Sequence, residues 1–152
     1  MLKDFSPFKT LVFYYGTLQS LHLVILIRVG LLILSTSISP FPILPPPNGW
    51  QDQVWPFMFA LAGMDVLGIL LAIIFAYYVF FKGKVLTLIG ILSLTIFISG
   101  AIVFAAGTIC AGAWQSHPLT YGVMAILFLP SPILLGLLIH RSSKLRHIEH
   151  NE

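Results

Sequence analysis

The chain has 152 residues, of which 58% are hydrophobic and 9% charged, and its mean hydropathy is +0.97. A soluble domain carries about 25% charged residues, so this chain cannot wrap its apolar side chains in a water-compatible shell, and lipid is the solvent for most of it. The net charge of +3 comes from eight basic and five acidic residues, placed mostly outside the apolar runs, where they report topology and offer no nucleic-acid surface. The one cysteine, Cys110, excludes an intramolecular disulfide, a CxxC redox pair and a multi-thiolate metal site.

The first apolar run extends from Thr10 to Leu34. It is too long for the apolar region of a secretory leader, and no A-x-A-like cleavage site follows it. The connection over 35–55, "SISPFPILPPPNGWQDQVW" in its main part, carries Pro40, Pro42, Pro45, Pro46 and Pro47. Prolines fix φ and remove donors, which favours extended backbone, and Phe41, Ile43 and Leu44 are apolar enough to fold back as an ordered cap. A lid over a cavity and a docking surface are the functional alternatives for that loop. Three further runs follow at 56–81, 85–111 and 118–140, and a polar tail at 141–152 continues the last helix briefly. Each run can cross a hydrocarbon layer about 30 Å thick as a helix. Period-two alternation is missing, so helices are favoured over barrel strands. The expected fold is all-α: a single domain forming a four-helix transmembrane bundle.

Lys and Arg orient the bundle. Lys3 and Lys9 precede the first run, Lys82 and Lys84 lie in the turn "FKGKV", and Arg141, Lys144 and Arg146 follow the fourth. The connections over 35–55 and 112–117 hold neither residue. The positive-inside rule therefore places both termini in the cytoplasm and the proline-rich loop outside. The chain reads as a multi-pass integral membrane protein, expected in a prokaryotic plasma membrane. Trp50, Trp55 and Trp114 mark the outer interface, and Tyr77 and Tyr78 the inner one.

Two charges lie within apolar spans. Arg28 is ~9 Å from the outer end of the first helix and Asp65 ~13 Å from that of the second, at 1.5 Å per residue. An aspartate at the centre of a membrane helix costs about 2.5–3.5 kcal/mol, and pairing with Arg28 would lower that cost. Such a pair is first of all a lock on helix register; a site for a ligand headgroup, a quinone or a proton, or a subunit contact, is the alternative. Gly68, Ala72 and Ala76 continue the Asp65 face at helical spacing and imply a close neighbouring helix. Ala101 with Ala105, and Gly107 with Ala111, repeat this pattern in the third helix.

His22 lies near mid-depth in the first helix, as a hydrogen-bonding side chain or a haem, chlorophyll or proton-relay residue. His117 and His140 lie at opposite ends of the fourth helix, so no second mid-membrane imidazole is available. His147 and His150 form only a weak metal signal, and no metal site is expected. Pro130 and Pro132 predict a kink in the fourth helix, and Ser93, Thr95 and Ser99 could bring hydroxyls to the same interior. The candidate ligand-binding set is thus Asp65, Arg28, His22 and Ser99. No nucleophile elbow, P-loop, HExxH or dinucleotide fingerprint is present. That leaves catalytic residues unassigned and makes a non-enzymatic role the expectation, with a quinone or lipid as the molecule such a site would take.

The runs "IRVGLLIL" and "MDVLGILLA" resemble the DoxX-like family of four-helix membrane proteins over roughly residues 20–75, through Arg28, Gly30, Asp65, Leu67 and Gly68. The chain has "STSISP" after the first helix where that family usually has Gly-x-x-Lys, and Asp where Glu is commoner. The resemblance implies thiosulfate:quinone oxidoreduction or an accessory role in redox assemblies. The sigma-2 receptor and sterol isomerase type is similar in having an acid in the second helix followed by a Lys-Gly turn, here Lys82-Gly83, and it has acidic or His partners in the first helix where this chain offers His22. Together these readings lead to an accessory or small structural subunit of a membrane protein assembly, redox-linked where the resemblance holds, with membrane lipid and other subunits as partners. A stand-alone intramembrane binder or isomerase of a lipid, quinone or sterol is the competing class, and a small transporter the third.

The topology has a direct test. A fluorescent reporter that matures only in the cytoplasm, fused after Glu152, should light up, while alkaline phosphatase inserted at Asn48 should be active; the reverse pattern would invert the orientation.

Overall fold

A computed structural model of the chain describes residues 6–36, 46–49 and 54–149. The loop prolines Pro40, Pro42 and Pro45, with Phe41, Ile43, Leu44, Trp50, Lys3 and His150, lie outside the described residues. The elements are α1 (Pro7–Thr36), α2 (Val54–Phe81), α3 (Thr87–Cys110), a single turn α4 (Ala113–Ser116), α5 (Pro118–Phe128) and α6 (Pro130–Glu149). Among the described residues there is no strand, and four helical segments are long and apolar enough to cross a membrane: Pro7–Leu32, Pro56–Phe81, Thr87–Cys110 and Pro118–Ser143.

Local chemistry explains where these helices begin and end. Ser6 precedes Pro7 and accepts the Lys9 N–H at 3.4 Å, a capping hydroxyl before proline in the first helical turn. α1 therefore starts three residues before the apolar run. Gly83, at φ 62°, ends α2, and the Lys84 N–H returns to the Tyr78 carbonyl at 3.0 Å; a left-handed residue here costs glycine little. At the other end of the bundle Pro46–Gly49 forms a turn, closed by the Gly49 N–H on the Pro46 carbonyl at 2.9 Å. Gly112, at φ 79°, turns α3 into α4.

The fourth span is two helices. Pro130 and Pro132 have no N–H for the carbonyls one turn earlier, and the ladder breaks at Leu129, whose N–H turns to the Ile126 carbonyl at 3.2 Å. The Leu127 carbonyl in that opened turn accepts the Tyr14 hydroxyl at 2.6 Å. The kink expected from the prolines is thus present, and α1 holds it.

Successive helices pack as neighbours: α2 lies between α1 and α3, and α6 closes the bundle against α3 and α1. Near the basic end, marked by Lys82, Lys84 and Arg141, lies an apolar core of Val12, Tyr15, Ala72, Phe75, Val79, Leu94, Leu134 and Leu138. Gly16 meets Ala76 there, and Gly90 meets Phe75 and Leu138. Lys82 caps the Tyr77 ring at 5.9 Å and Arg141 the Phe8 ring at 6.0 Å, an aromatic and cationic girdle of the kind found at headgroup level.

Towards the loop end the bundle loosens. α5 packs against α4, where the Trp114 and Tyr121 rings stack at 5.4 Å and the Trp114 indole donates to Thr108 Oγ1 at 2.9 Å. Leu21, Val24, Ile25, Ile27 and Leu31 of α1 are exposed on successive turns, a surface that lipid or another apolar helix can cover.

The tightest glycine provides a test of the closed end. A Cβ on Gly90 would fall within 2.8 Å of Phe75 Cε2 and Leu138 Cδ1, whereas one on Gly136 meets nothing within 4 Å. Gly90→Ala should lower stability by about 1–3 kcal/mol, read as a fall in Tm in mild detergent. Gly136→Ala should leave the Tm unchanged or slightly raised.

Candidate functional site

One face of α1 carries Val12, Tyr15, Gln19 and His22 at spacings of three, four and three, the pattern of a packed helical seam. Val12, Tyr15 and Gln19 are buried, and His22 is half-buried. Three consecutive seam positions thus hold polar side chains inside a bundle whose surroundings are apolar.

The first polar group is fully satisfied. Tyr15 Oη and Ser93 Oγ lie 2.8 Å apart, and Ser93 Oγ donates to the Gly68 carbonyl at 2.8 Å. A serine hydroxyl has one proton, so with that proton on Gly68 it is the tyrosine that donates to Ser93. The chain Tyr15→Ser93→Gly68 joins α1, α3 and α2 at one point. Gly68 permits it by lacking a Cβ: one there would stand 3.2 Å from Ile96 Cγ2.

One turn further along α2 lies Asp65, facing two helices. Its Oδ2 is 3.7 Å from His22 Nε2 of α1, and its Oδ1 stands against Gly100 of α3, 3.3 Å from where a Cβ would be. The small-residue face is shared between neighbours, since Gly68 meets α3 and Ala76 meets α1. The His22–Asp65 contact is longer than a hydrogen bond, and the side chains remain 31% and 21% exposed.

The expected Arg28–Asp65 pair does not form. Arg28 is exposed in a shallow groove with Val24, Ile27, Leu31, Leu32 and Ser35, all on α1. Six residues separate it from His22, which turns it about 120° away around the helix. When His22 faces α2, Arg28 cannot, however well the depths agree. Ser99 is likewise not brought to the site. It neighbours Gly100 in sequence but is turned about 100° from it, and it is exposed, as Thr95 is.

The site therefore holds His22 and Asp65 from the expected set, and adds Tyr15, Gln19, Ser93 and the Gly68 carbonyl. Gln19 is the member that reading for charged and titratable residues missed; the seam spacing on α1 was the signal that could have found it. Its side chain is 1% exposed, and its Nε2 has no hydrogen-bond partner among the described residues. Among the described residues no three His, Cys, Asp or Glu side chains gather in a metal-ligating group, and Cys110 is exposed at the end of α3.

Comparison with protein families, with characterised proteins and with solved structures returned no match to the chain.

A double-mutant cycle tests this assignment of partners. His22→Leu and Asp65→Asn should couple by about 0.5–1 kcal/mol in thermal stability, whereas Arg28→Leu and Asp65→Asn should be additive within about 0.3–0.5 kcal/mol. Coupling confined to the Arg28 cycle would restore the Arg28–Asp65 pair.

Proposed function

We propose that this chain binds an amphiphilic molecule from within the membrane, with the His22–Asp65 contact as the polar end of the site. One observation carries the reading: an imidazole and a carboxyl meet across α1 and α2 at 3.7 Å, unsealed and partly exposed. A purely structural ion pair lowers its cost in hydrocarbon by closing up and hydrogen bonding. An open one attracts a polar headgroup whose tail follows the apolar surface. The candidate ligands remain a lipid, a quinone or a sterol, and no bond-making step is proposed. In this reading both termini lie in the cytoplasm, as the basic residues imply.

A subunit role is the second reading, favoured by the exposed apolar side of α1 from Leu21 to Leu31. It agrees with what the resemblance of residues 20–75 to DoxX-like proteins implies.

Native mass spectrometry from mild detergent separates the two. The binding reading expects a chain that retains a small amphiphile, with retention reduced in His22→Leu and Asp65→Leu. A stoichiometric protein partner on a chain without a bound amphiphile would favour the subunit role.

A further inference from the structure

The polar column along α1 is complete at one end and incomplete at the other. Tyr15, Ser93 and the Gly68 carbonyl satisfy one another. Beyond them, the Gln19 amide N–H2 has no acceptor among the described residues although the side chain is 99% buried, being 1% exposed. The Asp65 carboxyl, 3.7 Å from His22 Nε2, receives no hydrogen bond from any described residue. A buried donor without an acceptor is costly, and so is a carboxyl in hydrocarbon without a donor. These two groups have complementary needs. Gln19 is three residues from His22 on the same seam, a rise of about 4.5 Å. That rise is comparable to the span that one oxygen bridges with two hydrogen bonds of about 3 Å each.

The chemistry of that oxygen is constrained. It must accept from Gln19 and donate to Asp65, which is what a hydroxyl does. Against an ionised carboxylate, an ether or ketone oxygen only accepts, and would leave Asp65 without a donor. An ammonium only donates, and would leave Gln19 without an acceptor. A water has the same hydrogen-bonding chemistry, but the residues flanking the site open towards hydrocarbon: Leu21, Val24 and Ile25 beside His22, and Met64, Val66 and Leu67 beside Asp65, are all exposed. A hydroxyl reaches this place most readily on an apolar chain.

We propose that the seam between α1, α2 and α3 takes the hydroxyl head of a membrane amphiphile, which accepts a hydrogen bond from the Gln19 amide and donates one to the Asp65 carboxyl. This rests on the binding reading above and narrows it to a headgroup class. Tyr15 and Ser93 form the floor of the site, already bonded to each other and therefore not competing for the ligand.

The test is a headgroup series on one tail. Sixteen-carbon chains with a photoreactive diazirine near the head, ending as a primary alcohol, a methyl ether or a primary amine, are each incorporated into phosphatidylcholine vesicles containing the full chain, irradiated, and mapped by peptide mass spectrometry. The alcohol should label the segments around Gln19, Asp65 and Gly100 about fivefold more than either analogue, the gain from one added hydrogen bond. Gln19→Leu should bring the alcohol down to the level of the amine, and Asp65→Leu should bring it down to the level of the ether. The unsubstituted chain alone decides the matter if either variant fails to fold. Equal labelling of the seam by all three would overturn the hydroxyl assignment while leaving the binding reading intact. A seam labelled by none of them, as when water alone fills it, would overturn both.

Discussion

The Ser93 hydroxyl sits where three helices meet, accepting a hydrogen bond from Tyr15 of α1 and donating one to the Gly68 carbonyl of α2. In hydrocarbon, helix backbones have already used their hydrogen bonds internally, and no water stands ready to replace a lost partner. Side-chain bonds between helices are then among the few directional forces that set how the helices lie along one another, at about 0.6–2 kcal/mol each. Gly68 lets α3 come close enough for the bond, and the stacking of Ala72, Phe75 and Leu94 into the core follows from that approach. Moving Ser93 by one position would place its hydroxyl about 100° away and leave Tyr15 buried without an acceptor.

The polar column runs from the apolar core at the basic end towards the loop end of the bundle. At the basic end α6 completes the ring of helices, with Leu134 and Leu138 in the core. At the loop end, beyond the break at Leu129, α5 packs against α4. Tyr14 and Tyr15, adjacent in α1, point to different neighbours: one holds the opened turn at Leu127, the other reaches Ser93. α1 therefore fixes both the kink and the core. His22 and Asp65 lie beyond the closed half, which is why they keep part of their surface free.

Much of the architecture was legible from residue type and order. Four apolar runs, the Lys-Gly turn and the two prolines were each enough to place an element, and the observed helices differ from the runs by a few residues where Ser6-Pro7 and Gly83 supply the end chemistry. The close-packed face beginning at Asp65 was legible as well, from Gly68, Ala72 and Ala76. The site itself was read only in part. Asp65 and His22 stood out as polar residues in apolar spans and proved to be neighbours. Arg28 and Ser99 stood out for the same reason and proved to face elsewhere. Of the three hydroxyls expected to reach the interior from the third helix, Ser93 does so while Thr95 and Ser99 are exposed, and Gln19 was an ordinary letter until its face was known.

The difference has one physical origin. Hydrophobicity and length determine whether a segment crosses a membrane and how deep each residue lies, because the rise along a helix is constant. Those quantities follow from the sequence alone, and they placed Arg28 and Asp65 at similar depths. Which residues touch depends also on the angle each presents around its helix and on which helix stands opposite. That angle is settled only when Gly16 meets Ala76, Gly68 meets Ile96 and Gly90 meets Phe75. The sequence by itself determined the spans, the kink and the presence of a carboxyl at mid-depth; the tertiary structure decided that its neighbour is His22, with the Gln19 amide, unpartnered among the described residues, one turn from that imidazole.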